Sequence, residues 1–420
     1  MLSQDHAVTL KALAAACPEL REGTDIDAIG DVVPGFVAWP SGTDQAAGLL
    51  RAAAEHDLAV VFRGTGSRLG WGVPPDRCDL VVDTGRMDAV LEHAAGDLVA
   101  RVQPGAQMGG VADLLALAGQ EIALDVPATA TVGGVVASGL TGPRRLRYGS
   151  PRDLLIGITV VLADGTVAHS GGKVVKNVAG YDLGKLFAGS AGTLGLITEA
   201  TFRLHPLSAA RRFVTAEFVA PTVGCDAVAM AANSPLVASA VELRRAAPGE
   251  PLQVAALLEG SPDGVVARAA RMADLLGAAE VSPEAPEWST GPLGFTGEGT
   301  LIRVSFWVSA LGRVLDAIDT AAAGSGLAPE VYGSAGAGVL YLGFSPEEAG
   351  VPSFTGALRA ALDHERGGVV VLAAPAAVRA ELAGYGGMAG RVPSLGLMRA
   401  VKDQFDPGHR LAPGRFPEVI

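Results

Sequence analysis

A chain of 420 residues is too long for one ordinary core, so two or three domains are expected, and 49% hydrophobic against 18% charged residues describes a globular chain. A net charge of −12 and a pI near 5.1 argue against nucleic acid as a partner, because no basic stripe is present to neutralise phosphates along a duplex. Cys17, Cys78 and Cys225 are widely separated, odd in number and without CxxC pairing, which fits a reducing compartment and excludes a cysteine-ligated cluster held by this chain alone.

The first twenty residues place Asp5 before their only lysine and lack a basic region followed by an apolar core, so they do not read as a signal peptide. From Pro40, Ser41 or Thr43 can cap a helix whose apolar positions Ala46, Leu49, Leu50 and Ala53 recur at helical spacing. That helix feeds an apolar strand which opens, between Val60 and Gly72, into VVFRGTGSRLGWG. Glycine permits positive φ and leaves no Cβ in the way, so successive N–H groups can turn toward one anion, with Arg63 and Arg68 adding charge at the rim. The spacing Gly64, Gly66, Gly70 is neither a Walker motif nor the dinucleotide fingerprint, and the loop also reads as a glycine-rich turn at a sheet edge.

A second strand, Asp79 to Asp83, follows, then the strand LVARVQ ending at Pro104-Gly105, and a helix VADLLALAGQ with Gly119 placed to cap its C-terminus. Asp125 to Gly149 is dense in glycine and small residues. Thr131, Gly133 and Gly134 there can open a helix whose N-terminal N–H groups face an anion, or form a structural turn. LLIGITVVLADGTVAH reads as a hairpin with Asp164-Gly165 in a type I′ turn.

The chain uses 27 arginines and only five lysines, yet Lys173, Lys176 and Lys185 fall close together, which suggests that compact ammonium charges are wanted there unless the stretch is a solvated loop. After Pro206 the glycine-rich loops thin out into strands and helices that suggest an α+β sheet covered by helices on one face. Linker candidates are Pro206 to Ala210 and Ser282 to Gly294. The longest apolar run, Val369 to Val378, is about half a bilayer span and contains Pro375, so a soluble or at most peripheral protein is expected. The final stretch is a helix broken at Asp406-Pro407-Gly408 that returns to pack on something specific.

Taken in order, RGTGS (Arg63 to Ser67), PATATVGG (Pro127 to Gly134), RYGSPRDLL, the ADGT turn, GYDLGKLFAGSAGTLGLITEA (Gly180 to Ala200) and DPGHRLAPGR resemble the flavin-binding fold of the vanillyl-alcohol-oxidase/p-cresol-methylhydroxylase class. Within it, KNVAGYDLGKL and RRLRYGSPRDLLIG look most like the FAD-binding subunit of bacterial glycolate oxidase. The resemblance implies an α+β chain: a two-part FAD-binding domain over 1–206, an α+β cap with a mainly antiparallel sheet over 207–395, and a segment over 396–420 returning to the FAD domain. It implies FAD held by Arg63, Gly64, Thr65, Gly66 and Ser67, with Pro127, Thr131, Val132, Gly133, Gly134, Ser138 and Gly139 on another side and Gly195, Ile197 and Thr198 near the isoalloxazine. Relatives with covalent flavin often carry histidine in the first loop, where this chain has Ser67, so the FAD is expected to be non-covalent.

Hydroxy-acid dehydrogenases of the class carry H-x-G-D-G-N-x-H in the cap. Here Ser334, Ala337, Val339 and Tyr341 replace the histidines, aspartate and asparagine, and neither Ala337 nor Val339 can ligate a metal or take a proton. As partners the resemblance implies a second flavin subunit and an iron–sulfur subunit of a glycolate oxidase-type complex acting on a small 2-hydroxy acid, in the cytoplasm or peripherally on the inner face of the cell membrane. The competing readings are a free-standing FAD-dependent dehydrogenase using Tyr181, Lys173 or His205, and a scaffold with a vestigial flavin site. Catalytic candidates are Lys173, Lys176 and Tyr181.

Overall fold

The computed structural model describes residues 4–173, 182–277, 279–289, 298–363 and 367–415. Contacts divide the chain into two units, one of residues 1–140, 150–207 and 393–420, the other of 141–149 and 208–392.

In the first unit, Val60–Arg63 runs parallel to Leu80–Asp83, which runs parallel to Phe36–Ala38 on its other side, with Leu20–Glu22 antiparallel at the edge. Phe36–Ala38 is wholly buried, as are the first three residues of Leu80–Asp83, the unbroken apolar run of a parallel strand covered on both faces. Helix Thr43–Glu55 supplies the crossover into Val60–Arg63 and buries Ala46, Leu49, Leu50 and Ala53. Its N-cap is Gly42, not Ser41 or Thr43. Ser41 instead donates its N–H and hydroxyl to Gln45 Oε1, so the side chain that satisfies this end lies inside the helix.

A second sheet of the same unit is antiparallel, in the order Val90–Ala94, Val99–Val102, Leu196–Arg203, Leu155–Val161, Val167–Gly171. Helices Met108–Ala116 and Val132–Ser138 cover it through Val111, Leu115, Val132, Val135 and Val136, which share a core with Ile158, Val160 and Phe202. Past the first of these, Gly119 takes φ +66 and donates to Ala116 O, as its position suggested. The hairpin is present, but its turn is not type I′. Of the residues between its strands only Gly165 has positive φ, +82, and its N–H closes on Leu162 O while Leu162 N–H meets Thr166 O. That is a turn with ordinary central residues followed by a left-handed glycine, the three-residue bulged hairpin.

The second unit is an eight-stranded antiparallel sheet in the order Glu280–Ser282, Ala210–Phe218, Leu252–Gly260, Ala240–Arg245, Glu330–Gly333, Val339–Phe344, Thr300–Ser305, Gly368–Ala373. Helices Pro221–Asn233, Pro262–Leu276, Leu311–Ser325 and Val351–Leu362 pack on it and on one another. Residues 141–149 leave the first unit to join this one, where Ser334 Oγ donates to Pro143 O and Tyr148 donates to Glu259. Of the linker over Ser282 to Gly294, residues 290–294 lie outside the described set. No helix among the described residues is long and apolar enough to cross a membrane.

Candidate functional site

Strand Val60–Arg63 ends in the first glycine loop, where Gly66 takes φ +78. Among the described residues, the N–H groups of Gly64, Thr65, Gly66 and Ser67 donate to no protein group, a row of four unspent donors on partly or fully exposed backbone. Gly64 has no room for a side chain, since a Cβ there would lie 2.2 Å from Thr131 Oγ1.

The charge at this rim differs from expectation. Arg63 gives Nε to Asp83 at 2.8 Å and a terminal nitrogen to Asp27 at 3.2 Å, so its guanidinium is neutralised within the fold. Asp27 is buried, and the Arg21 guanidinium beside it, with Thr24 and Arg63, holds its carboxyl well below the usual carboxylate range. The remaining loop cation is Arg68, stacked 4.7 Å from the Trp71 ring, its pKa lowered by burial and its Nε without a partner among the described residues.

Pro127 to Ala130 is a turn closed by Ala130 N–H on Pro127 O, and it leads into Thr131, the N-cap of helix Val132–Ser138. The helix opens where the small residues suggested, but its first N–H groups do not face an open anion site. Val132 donates to Ala106 O, Gly133 to Pro104 O, and Gly134 to Thr131 Oγ1. Gly133 is required by Pro104, whose Cβ a side chain would meet at 2.7 Å. Ser138 Oγ donates to Gly134 O, and Gly139 ends the helix at φ +65, where a Cβ would lie 3.5 Å from Gly189 Cα.

A third loop, Gly189 to Thr193, completes the arrangement. Gly189 and Ala191 donate to Val136 O and Ala137 O, and Gly189, Ala191 and Gly192 all have positive φ. A Cβ on Gly192 would lie 3.3 Å from the Phe62 ring, which brings this loop to the end of strand Val60–Arg63. Ser190 Oγ is buried with no partner among the described residues. The sequence pointed a few residues further on. Gly195 lies against Val161 O, Ile197 is in the core, and Thr198 Oγ1 donates to Thr159 O, so those side chains serve the sheet while the preceding turn makes the close approach.

Unspent N–H groups, backbone kept bare by glycine, an unpartnered buried hydroxyl and one desolvated arginine fit a cofactor carrying a pyrophosphate. Lys173 is not part of this arrangement. It is exposed and pairs with Glu92 at 2.7 Å, a surface ion pair, and Lys185 pairs with Asp182. His205 lies in a short ladder opposite Glu121. Lys176 and Tyr181 lie outside the described residues.

In the second unit, Ser334 is buried and spent on Pro143, Ala335–Ala337 forms one tight turn, and Gly338 ends it at φ +70 with Phe306 O where a Cβ would lie. Tyr341 is buried and stacked on Tyr332 at 5.9 Å. Gly336 leaves no room for a side chain against Val241 Cβ, 2.7 Å from where a Cβ would lie, and no histidine, cysteine, aspartate or glutamate accompanies the glycines in this turn. Sequence reasoning left Lys402, Asp406 and Arg415 unassigned. Lys402 is one of the five lysines, so the usage argument applied to Lys173 could have flagged it.

The fold is that of the p-cresol-methylhydroxylase type of flavoprotein. Residues 34–171 match the family described as FAD binding domain, and the cofactor of this domain is FAD. A crystal structure of p-cresol methylhydroxylase with substrate bound superposes with a TM-score of 0.75 at 16% identity, covering 100% of this chain and 98% of that one. At the level of particular proteins, the chain is similar to glycolate oxidase subunit GlcD of Bacillus subtilis, 39% identical over 176 residues, which are 41% of this chain and 37% of that protein. It is also similar to D-lactate dehydrogenase of Archaeoglobus fulgidus, 37% identical over 171 residues, 40% of this chain and 38% of that protein. The match therefore spans less than two fifths of either relative.

Proposed function

We propose that this chain is the FAD-binding subunit of a glycolate-type 2-hydroxy acid dehydrogenase or oxidase complex, carrying electrons or supporting assembly beside a catalytic flavin subunit and an iron–sulfur subunit, in the cytoplasm or peripherally on the membrane's inner face. Bound FAD supplies the two-electron acceptor. The observation that carries the reading is the turn at Ser334–Val339, where relatives would need histidine, aspartate and asparagine and this chain has a spent serine, alanines and valine. With no proton acceptor or metal ligand in that turn, the chain does not supply from that place the group that would activate the hydroxyl.

The test is turnover of glycolate and D-lactate with an artificial electron acceptor. The expected result is none by the FAD-loaded chain alone and turnover on co-expression with the two partner subunits. FAD should be non-covalent, because Ser67 cannot form a histidyl link, so acid precipitation should release all flavin to the supernatant and leave a colourless pellet.

One observation favours the free-standing dehydrogenase. Arg303 lies opposite Tyr341 in the sheet, its Nε has no partner among the described residues, and burial, with the like charge of Arg145, lowers its pKa. A substrate carboxylate would offset both penalties. If the isolated chain does turn over, Arg303→Met should raise KM by roughly tenfold or more, the worth of a charge-assisted hydrogen bond.

A further inference from the structure

Lys402, on helix Leu395–Phe405, is fully buried, and its three ammonium hydrogens meet three acceptors: Thr193 O at 2.8 Å, Leu411 O at 2.8 Å and Asp406 Oδ2 at 2.6 Å. A planar guanidinium cannot present donors in that tripod, which accounts for lysine here in a chain that otherwise prefers arginine. Asp406, equally buried, also accepts the Leu411 N–H at 2.7 Å. Thr193 closes the third glycine loop, giving both its N–H and its hydroxyl to Ser190 O.

The same segment reaches the first loop. Val60 N–H donates to Arg410 O and Ala412 N–H donates to Val60 O, adding residues 410–412 beside the strand that delivers the loop. Arg415, buried, then donates to Leu69 O and Trp71 O, each at 3.0 Å. Ala412 holds φ +47, a region that non-glycine residues occupy only where their surroundings over-determine them.

We infer that residues 402–415 form a clasp that positions both the 64–71 loop and the 189–193 loop, so that docking of this segment and FAD binding are coupled. Lys402 and Arg415 are positioning residues: each acts on loop carbonyls. A pair that only stabilised the fold would need no bond to Thr193, whereas here the ammonium spends one of its three hydrogens on that loop. Coupling is reciprocal, so FAD must secure the segment as much as the segment secures FAD. The inference rests on the FAD site and not on the substrate or partners proposed above.

The test uses two measurements. Replacing both charges, Lys402→Met with Asp406→Leu, avoids an unpaired buried ion and removes the tie to Thr193. The apoprotein should keep its circular dichroism, while the Kd for FAD, titrated by flavin fluorescence, should rise roughly tenfold. Arg415→Met should move Kd in the same direction. In the unaltered protein, FAD should slow hydrogen exchange at the Leu411 and Ala412 amides more than at Val254 in the second unit. An unchanged Kd in a folded double variant overturns the clasp, as does equal exchange with and without FAD in the unaltered protein, which decides alone if the double variant does not fold. A protein that binds no FAD at all overturns the site itself.

Discussion

Gly64 and Gly133 are the residues of the candidate site where a side chain is excluded most directly, and for a reason other than left-handed backbone. Neither has positive φ; what excludes a side chain is Thr131 Oγ1 at 2.2 Å in one case and Pro104 Cβ at 2.7 Å in the other. A Cβ at Gly64 would push the first loop off the cap of helix Val132–Ser138, and one at Gly133 would push that helix off the turn at Pro104. Gly64→Val and Gly133→Val should each abolish FAD binding, read as flavin absorbance per protein after gel filtration. Stoichiometric flavin in both variants would show that these loops do not form the site. Arg63 illustrates a different lesson: its position in the motif is as expected, but Asp27 and Asp83 claim its charge, and Asp27 lies 36 residues upstream in a segment without a motif.

Among the elements, the hairpin Leu155–Val161 and Val167–Gly171 shows how local signal and tertiary demand combine. Asp164-Gly165 announces a turn, and Asp164 accepts from the Thr166 N–H and hydroxyl. Its form is set by helix Thr43–Glu55, because Gly165 lies so close that a Cβ would be 2.6 Å from Ala47 O, and Arg51 donates to Gly165 O. Gly165→Ala should therefore cost about 1–3 kcal/mol of stability from backbone strain and displacement of the helix. Gly119→Ala, with φ +66 but nothing within 4 Å of the added methyl, is the control and should cost less. Urea unfolding of the two variants measures the difference; equal losses would mean that the contact with the helix is immaterial. The strands Glu330–Gly333 and Val339–Phe344 carry no periodic signal, because one is only four residues long and the other is apolar on both faces, with five of its six residues buried; only the resemblance pointed to a strand near Ser334 to Tyr341.

For the whole molecule, the three loops of the candidate site and the proposed clasp all belong to the unit of residues 1–140, 150–207 and 393–420. Ligand that binds only the folded form stabilises it by mass action, about 2.7 kcal/mol at a hundred times Kd. FAD at that excess should accordingly raise hydrogen-exchange protection in Val60–Arg63 and Leu155–Val161. An absence of any gain there would locate the cofactor elsewhere.

What the sequence by itself determined is whatever depends on neighbours along the chain: the helix Thr43–Glu55 from its apolar spacing, the helix opening at Thr131, the glycine loop after Val60, and through their order the FAD-binding fold. What only the tertiary structure decided is which groups remain available once distant segments have met. The N–H groups that open helix Val132–Ser138 are spent on Ala106 and Pro104, while those of Gly64 to Ser67 meet no acceptor among the described residues. The lysine that matters most to the loops is Lys402, bonded to a carbonyl 209 residues away, and not the exposed Lys173. Hydrogen bonds and ion pairs of this kind are fixed by proximity in space, and the residue types alone carry no record of which partner will claim them.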